Sequence, residues 1–375
     1  MNKNFFPEIK SRFGFGCLRL PMDGKNVDIN EFKQMIDIFI ESGFNYFDVA
    51  HGYMDGKSEI ALGKALVNRY PRENYLLANK LTDTFFENSE DIVPFFDKQL
   101  QLCGGLDYFD FYLMHDQEQR NYDKFQKCHA YEIAQELKHK GKIKHLGFSF
   151  HDKPELLERV LNDHPEVEFV QLQFNYLDYD SNNVQSAKLY EVCKKYNKPV
   201  FVMEPVKGGK LAVLPDIVKK EFDKLNNKDA SYASYAIRYC LGFSNNILVL
   251  SGVSNMEQMI DNCNVIKNFS PLNQKEDVAI KNAVNEFLNL NLIHCGECHY
   301  CTTLNKCSKK INIPALFSCY NNKKMMGDWK KEYSKLIESG FGKASSCIKC
   351  GKCRKVCPQH LNIPSLLEGV AKEIE

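Results

Sequence analysis

Eight short apolar runs set the frame for this 375-residue chain. Each has β-type composition, and most are followed by a stretch whose apolar residues recur at helical spacing. The runs are FGFGCLRL (13–20), FNYFDVA (44–50), YLLANK (75–80), FDFYLMH (109–115), IKHLGFS (143–149), EFVQLQF (168–174), PVFVMEP (199–205) and ILVLSG (247–252). Between the first two, residues 29–43 place Phe32, Met35, Ile36, Phe39 and Ile40 on one helical face and stop at Gly43, a residue suited to the left-handed turn after a helix. Eight strands alternating with helices over about 250 residues fit a parallel barrel of the TIM type. The competing open doubly wound sheet would want a GxGxxG after its first strand to bind a dinucleotide, and none is present. The expected fold is therefore α/β: a (β/α)8 barrel over 1–270, a connecting helix over 271–290, and a small, mostly α-helical unit over 291–375.

The last stretch carries its own constraint. CIKCGKCRKVCP (347–358) holds four cysteines at spacings of two, two and three residues, with a proline behind the last. That is the run with which bacterial ferredoxins hold a [4Fe–4S] cluster. It repeats: CGECHYC followed by INIPALF (295–317) is echoed by CIKCGKC followed by LNIPSLL (347–367). Such a repeat implies two clusters in one pseudo-symmetric, helical dicluster unit. In two-cluster arrangements the remote fourth cysteine of each run serves the other cluster. Cys295, Cys298, Cys301 and Cys357 then form one ligand set, and Cys347, Cys350, Cys353 and Cys307 the other. The first run departs in detail: five residues separate Cys301 from Cys307, and no proline follows Cys307. Zinc held by CxxC pairs is the alternative reading, disfavoured by two triplets of identical spacing. Of the fifteen cysteines, the scattered Cys17, Cys103, Cys128, Cys193, Cys240, Cys263 and Cys319 read as ordinary core or surface thiols.

Residues 291–375 hold 14 of the 49 Lys and Arg and 7 of the 48 Asp and Glu, a net +7, which leaves −6 on the first 290 residues. No apolar run is long enough to span a membrane, and MNKNFFPEIKSR lacks the features of a signal peptide. The expected location is the cytoplasm, with neither membrane nor nucleic acid as partner. Lys349, Lys352, Arg354 and Lys355, interleaved with the second run, balance cluster charge. One reading stops there; the other has them also form a docking patch for an acidic one-electron carrier such as a ferredoxin or flavodoxin.

The first 270 residues resemble the aldo-keto reductase family. FGFGCLRLP, FDVAHGY with GKSE, LLANK, YLMHD, HLGFSFH, VQLQFNYLD and VLSGVSNMEQMIDN occur in family order. With the cysteine tail, the resemblance extends to the branch fused to a two-cluster ferredoxin-like domain. It implies carbonyl or alcohol redox chemistry with NAD(H) or NADP(H) and a catalytic tetrad on Asp48, Tyr53, Lys80 and His115. Tyr53 is expected to be the general acid, with a phenol pKa lowered by the Lys80 ammonium. Asp48 would hold Lys80 charged, and His115 would orient the carbonyl and stabilise the developing oxyanion.

The cofactor site matches the family less closely. Ser149 and Gln171 fall at the positions that bind the nicotinamide carboxamide, and Met203 where many members have a stacking aromatic. Lys207 and Lys210 are expected to reach a pyrophosphate, and Ser254 and Asn262 to line the cofactor. Gly252 and Gln258 occupy positions where a cation would clamp an NADP 2′-phosphate, and 251–262 contains no Lys or Arg, so no strong NADP preference is expected. Hydride transfer needs no iron. The clusters therefore imply electron exchange with the barrel, with a flavin as one converter between two-electron and one-electron steps. The alternatives are structural clusters on a nicotinamide-dependent reductase, or a retired barrel serving an electron-transfer or redox-sensing module.

Overall fold

The computed structural model describes residues 5–227, 230–304, 307–325 and 329–375. The eight expected runs all form strands: β1 (Phe13–Gly16), β2 (Tyr46–Asp48), β3 (Leu76–Leu81), β4 (Phe109–Gln117), β5 (Ile143–Phe150), β6 (Phe169–Gln173), β7 (Val200–Met203) and β8 (Asn246–Gly252). They pair in parallel, each with its sequence neighbour, and β8 closes on β1 to complete the barrel. Every residue of β3 and of β4 is buried, as expected where a parallel sheet is covered on both faces.

Local chemistry accounts for the helices around it. Helix Ile29–Glu41 starts where the Asp28 carboxylate accepts the backbone N–H groups of Asn30 and Glu31, each at 3.0 Å. Its Phe32 and Phe39 rings meet Phe13, Phe15 and Phe47 at centroid distances of 5.0–5.8 Å. Gly43 beyond it is left-handed, with φ +91°. Inside the barrel Tyr46, Phe111, Phe169 and Phe201 pack together, and Phe6 from the N-terminal segment meets three of those rings edge-on at 5.3–5.9 Å. These residues lie toward the N-terminal ends of the strands, so that end is plugged by aromatic side chains. Gly147 permits this filling, because a Cβ there would stand 2.5 Å from the Phe169 ring.

The chain divides into two compact units, 1–212 with 229–272, and 213–228 with 273–375. The division refines the sequence boundaries. Helix Gln274–Asn289 belongs to the second unit, where it packs on helix Asp216–Asp223, a segment the sequence reading assigned to the barrel. The chain thus leaves the barrel after β7 and returns to lay down β8. The second unit has its own core, including Ile293, Ile313, Leu316, Phe317, Leu367 and Val370. Helices Ile313–Lys324 and Ile363–Ile374 each begin with an Asn-Ile-Pro step, the proline sitting where a helix start has no use for an N–H. None of the described residues of this unit is in a strand. No described helix is long and apolar enough to cross a membrane.

Candidate active site and cysteine runs

Strand register brings the first group of polar residues to the C-terminal ends of the strands. Asp48 is the last residue of β2 and pairs with Gly16 across β1 and with Ala78 on β3. Lys80, two residues beyond Ala78 on β3, is fully buried. Its Nζ donates to Asp48 Oδ1 at 2.6 Å, to the Tyr53 hydroxyl at 3.1 Å and to the Val49 carbonyl at 3.0 Å. Tyr53 enters from the loop after β2 and is 7% exposed. Three successive left-handed residues follow it, Met54, Asp55 and Gly56, at φ +53°, +57° and +82°. Backbone strain of this kind clusters at functional sites. The His115 ring, near the end of β4, lies 6.1 Å from the Tyr53 ring, centroid to centroid. The four expected catalytic residues therefore converge.

The electrostatics differ from expectation at Tyr53. Burial pushes its phenol pKa up, and the Asp48 charge adds to that. The lowering expected from Lys80 is not what the site produces. Burial outweighs it; in the neighbouring pair, burial raises the Asp48 carboxyl and lowers the Lys80 ammonium, while each supports the charge of the other. Tyr53 is accordingly protonated near pH 7. His115 is pushed well down, by burial first and then by Lys80, His151 and Arg120. Its imidazole is neutral near pH 7. Thr82 Oγ1 lies 2.6 Å from Nδ1, and donation by that hydroxyl leaves the ring proton on Nε2.

A polar network behind the strands holds Lys80 in place, and the sequence reading missed it. Asn79 Oδ1 accepts the Lys80 backbone N–H at 2.8 Å, and Gln99 Nε2 donates to the Lys80 carbonyl at 2.9 Å. Asn79 Nδ2 donates to Glu59 Oε1 at 2.9 Å, and the other Glu59 oxygen meets His51 Nδ1 at 2.6 Å. A polar Asn inside the apolar run LLANK was the available signal.

Of the expected cofactor contacts, Ser149 and Gln171 are register partners on β5 and β6. Gln171 Nε2 lies 3.7 Å from the Met203 sulfur, while Gln171 Oε1 is buried with no hydrogen-bond donor. The Ser149 hydroxyl accepts the Asp116 N–H at 2.8 Å and keeps its own proton to donate. An orphaned acceptor beside a hydroxyl fits a primary carboxamide, which has one donor group and one acceptor. Lys207 is a correction: it is fully buried, and its Nζ is held by both Asp178 oxygens at 2.6 and 2.7 Å, so it does not reach out to a pyrophosphate. Lys210 is half-buried in the same loop. Asn262 Nδ2 donates to Ser251 Oγ at 2.9 Å, Gln258 Oε1 accepts the Ser254 N–H at 2.8 Å, and Gly252 ends β8 beside Gly16.

The cysteine runs repeat in geometry as well as spacing. Two residues after the first cysteine of each run, Glu297 and Lys349 are left-handed, at φ +53° and +54°, and each donates its N–H to that cysteine's sulfur at 3.4 Å. One residue after the second cysteine, His299 and Gly351 are left-handed too, at φ +64° and +75°. The equivalence reaches the fourth cysteines. Lys310 N–H bonds the Cys307 carbonyl and His360 N–H the Cys357 carbonyl, both at 2.9 Å, with φ of +53° and +50°. Cys307 thus has the backbone setting of Cys357 despite its lengthened approach. Cys295, Cys298, Cys301 and Cys357 line one enclosed cavity with Ile313, Phe317 and Leu361. Cys347, Cys350 and Cys353 are neighbours in the second run. Among the described residues, no three His, Cys, Asp or Glu side chains converge to hold a single ion. A four-iron cluster asks for something wider, since its thiolates bind different irons and surround a volume. The donor set, four thiols lining one cavity, suits such a group. The seven scattered cysteines are all buried.

A closed eight-stranded parallel barrel with a buried Asp–Lys–Tyr constellation at its C-terminal end, joined to a helical unit with paired cysteine runs, defines an oxidoreductase with an iron–sulfur domain. The chain belongs to the aldo/keto reductase family, whose model matches residues 12–285, and a 4Fe-4S dicluster domain matches 294–362. It is 24% identical over 282 residues to the uncharacterized oxidoreductase YqkF of Bacillus subtilis, covering 67% of this chain and 86% of that one. To the NADH-specific methylglyoxal reductase of Escherichia coli it is 28% identical over 196 residues, 47% of this chain and 57% of the relative. Among solved structures, the holo form of aldo-keto reductase AKR11C1 from Bacillus halodurans superposes with a TM-score of 0.59 at 24% identity, covering 72% of this chain and 91% of that one. An aldo/keto reductase from Klebsiella pneumoniae in complex with NADP and acetate does so at 0.60 and 17% identity, covering 72% and 90%.

Proposed function

We propose that the protein interconverts a small carbonyl compound and its alcohol at the barrel mouth and exchanges single electrons through two [4Fe–4S] clusters in its second unit. The carrying observation is Lys80 Nζ, sealed from water between Asp48 Oδ1 and the Tyr53 hydroxyl. Bound nicotinamide supplies or accepts the hydride, and the clusters supply or accept single electrons. Ser149 and Gln171 hold the carboxamide, with Met203 packed beside Gln171. Tyr53 donates its proton to the carbonyl oxygen as charge builds there. Neutral His115 donates a hydrogen bond to the same oxygen and so stabilises that charge.

Cys295, Cys298, Cys301 and Cys357 hold one cluster, and Cys347, Cys350, Cys353 and Cys307 the other. A flavin is the cofactor class whose chemistry would couple the two regimes. Lys349, Lys352, Arg354 and Lys355 are all exposed around the second run, and Lys349 meets Glu368 at 2.8 Å. They suit an acidic one-electron carrier in the cytoplasm. The test is Tyr53→Phe. Carbonyl reduction should fall by about 10²–10⁴, with iron and sulfide content unchanged. Full activity in that variant would remove Tyr53 as the acid.

A further inference from the structure

Three independent features meet at Asp116, one residue past His115. The first is a bulge. Met114 pairs with Phe148 and Gln117 with Phe150, so β4 spends three residues where β5 spends two. An extra residue of this kind re-aims the side chains around it and is common beside active sites. The second is strain. Asp116 is left-handed, at φ +58°, a conformation that a non-glycine residue holds only at a cost. The third is an unmet acceptor. Asp116 is 5% exposed, its Oδ2 is bonded by the Arg120 guanidinium, and its Oδ1 receives no hydrogen bond. His151 Nε2 lies 3.7 Å from Oδ1, beyond hydrogen-bond distance. A buried carboxylate oxygen without a donor is costly to maintain. The chain thus bends its own strand to set an acceptor beside the catalytic histidine and then gives it nothing to accept.

The surroundings say which donor fits. Arg120 is shared among Asp116, Glu118 at 2.7 Å and Asp83 at 3.2 Å. Glu118 Oε1 is likewise buried and unbonded. Burial raises both the Asp116 and the Glu118 carboxyl, while Arg120 supports their charged forms. Arg120 already supplies the cluster's cation, so a neutral donor suffices at Oδ1. Its place relative to the tetrad is set by two links: the Asp116 charge acts on the Tyr53 phenol, and its N–H is held by Ser149.

We infer that Asp116 is a substrate-binding group whose Oδ1 accepts a hydrogen bond from a hydroxyl on the carbon next to the reacting carbonyl, so that the enzyme selects hydroxylated aldehydes and ketones over their alkyl counterparts. The inference rests on the carbonyl chemistry proposed above and adds the substrate's second functional group. A site built to receive a hydroxyl penalises the analogue that lacks one, because the buried acceptor then stays unpaired.

The experiment uses the full-length protein with its clusters and compares kcat/KM for glycolaldehyde and for propanal, which replaces the hydroxyl by a methyl group. Asp116→Asn and Asp116→Gly both tolerate the left-handed backbone. Asn offers a donor where the acceptor stood, and Gly leaves nothing there. The glycolaldehyde-to-propanal ratio is internal to each preparation, so partial misfolding and intrinsic carbonyl reactivity cancel between variants. That ratio should fall by about ten- to 150-fold in both variants, the range expected for one hydrogen bond to a charged group. A ratio within about twofold of the wild type in both variants overturns the inference while leaving the carbonyl chemistry intact. A wild type that shows no Tyr53-dependent reduction of either aldehyde overturns the proposed reaction and the inference with it.

Discussion

The barrel mouth and the cysteine runs are built in opposite ways. In the runs, the three cysteines of each triplet are set by turns within a few residues of one another, and only the fourth comes from the other run. The left-handed positions at 297, 299, 349 and 351 and the bonds to the Cys295 and Cys347 sulfurs are local events, set by turn chemistry and copied with the repeat. At the mouth, Asp48, Tyr53, Lys80 and His115 come from separate elements, and only strand register brings Lys80 Nζ within 2.6 Å of Asp48. A locally encoded triplet survives changes elsewhere in the fold. A site encoded by register depends on the whole barrel.

The sharpest way to break this contrast is Lys80→Met. It strands Asp48 without its partner in a dry interior, and removing one member of a buried pair costs about 3–5 kcal/mol. The denaturation midpoint of the barrel should drop accordingly, while the visible absorption of the clusters persists in the folded protein. Simultaneous loss of both signals would show that the two sites are not separable. Next in size, Cys307→Ser and Cys357→Ser should each lower bound iron to about half, because each is the fourth ligand of a different cluster. Full iron in the Cys307 variant would limit the pseudo-symmetry to the backbone. Cofactor choice should show a smaller effect. With no cation in 251–262 and Lys207 committed to Asp178, NADPH should bind no more than about tenfold tighter than NADH. A larger preference would point to a phosphate clamp on another element. The smallest effect is expected from Lys352→Glu with Lys355→Glu. Reduction of the clusters by an acidic carrier should then lose most of its salt dependence between about 0.01 and 0.15 M. Unchanged dependence would move the docking site elsewhere.

The same contrast explains what was legible beforehand. The eight strands and their order could be read because parallel strands buried on both faces are continuous apolar runs. The cysteine ligands could be read because their spacing is the chemistry. Asp116 could not. A bulge leaves the composition of FDFYLMHDQ unchanged, and an orphaned oxygen exists only once neighbouring strands are placed. Lys207 misled for a related reason: in the sequence it is a loop cation, and its partner Asp178 lies 29 residues away. The lowered Tyr53 phenol was expected from Lys80, whereas burial of the hydroxyl, which only the folded barrel creates, pushes it up.

The segment 213–228 has a consequence for how the molecule is made. Helix Asp216–Asp223 buries Val218 and Phe222, yet the helix it packs on, Gln274–Asn289, is synthesised only after β8 is complete. During translation the growing chain must carry an unsatisfied apolar face past the closing strand of the barrel. Such a face is an aggregation hazard for nascent chains. Cutting the gene at residue 272 would make the exposure permanent, so the barrel is poorly suited to being expressed alone, and a clean dissection would excise 213–228 as well.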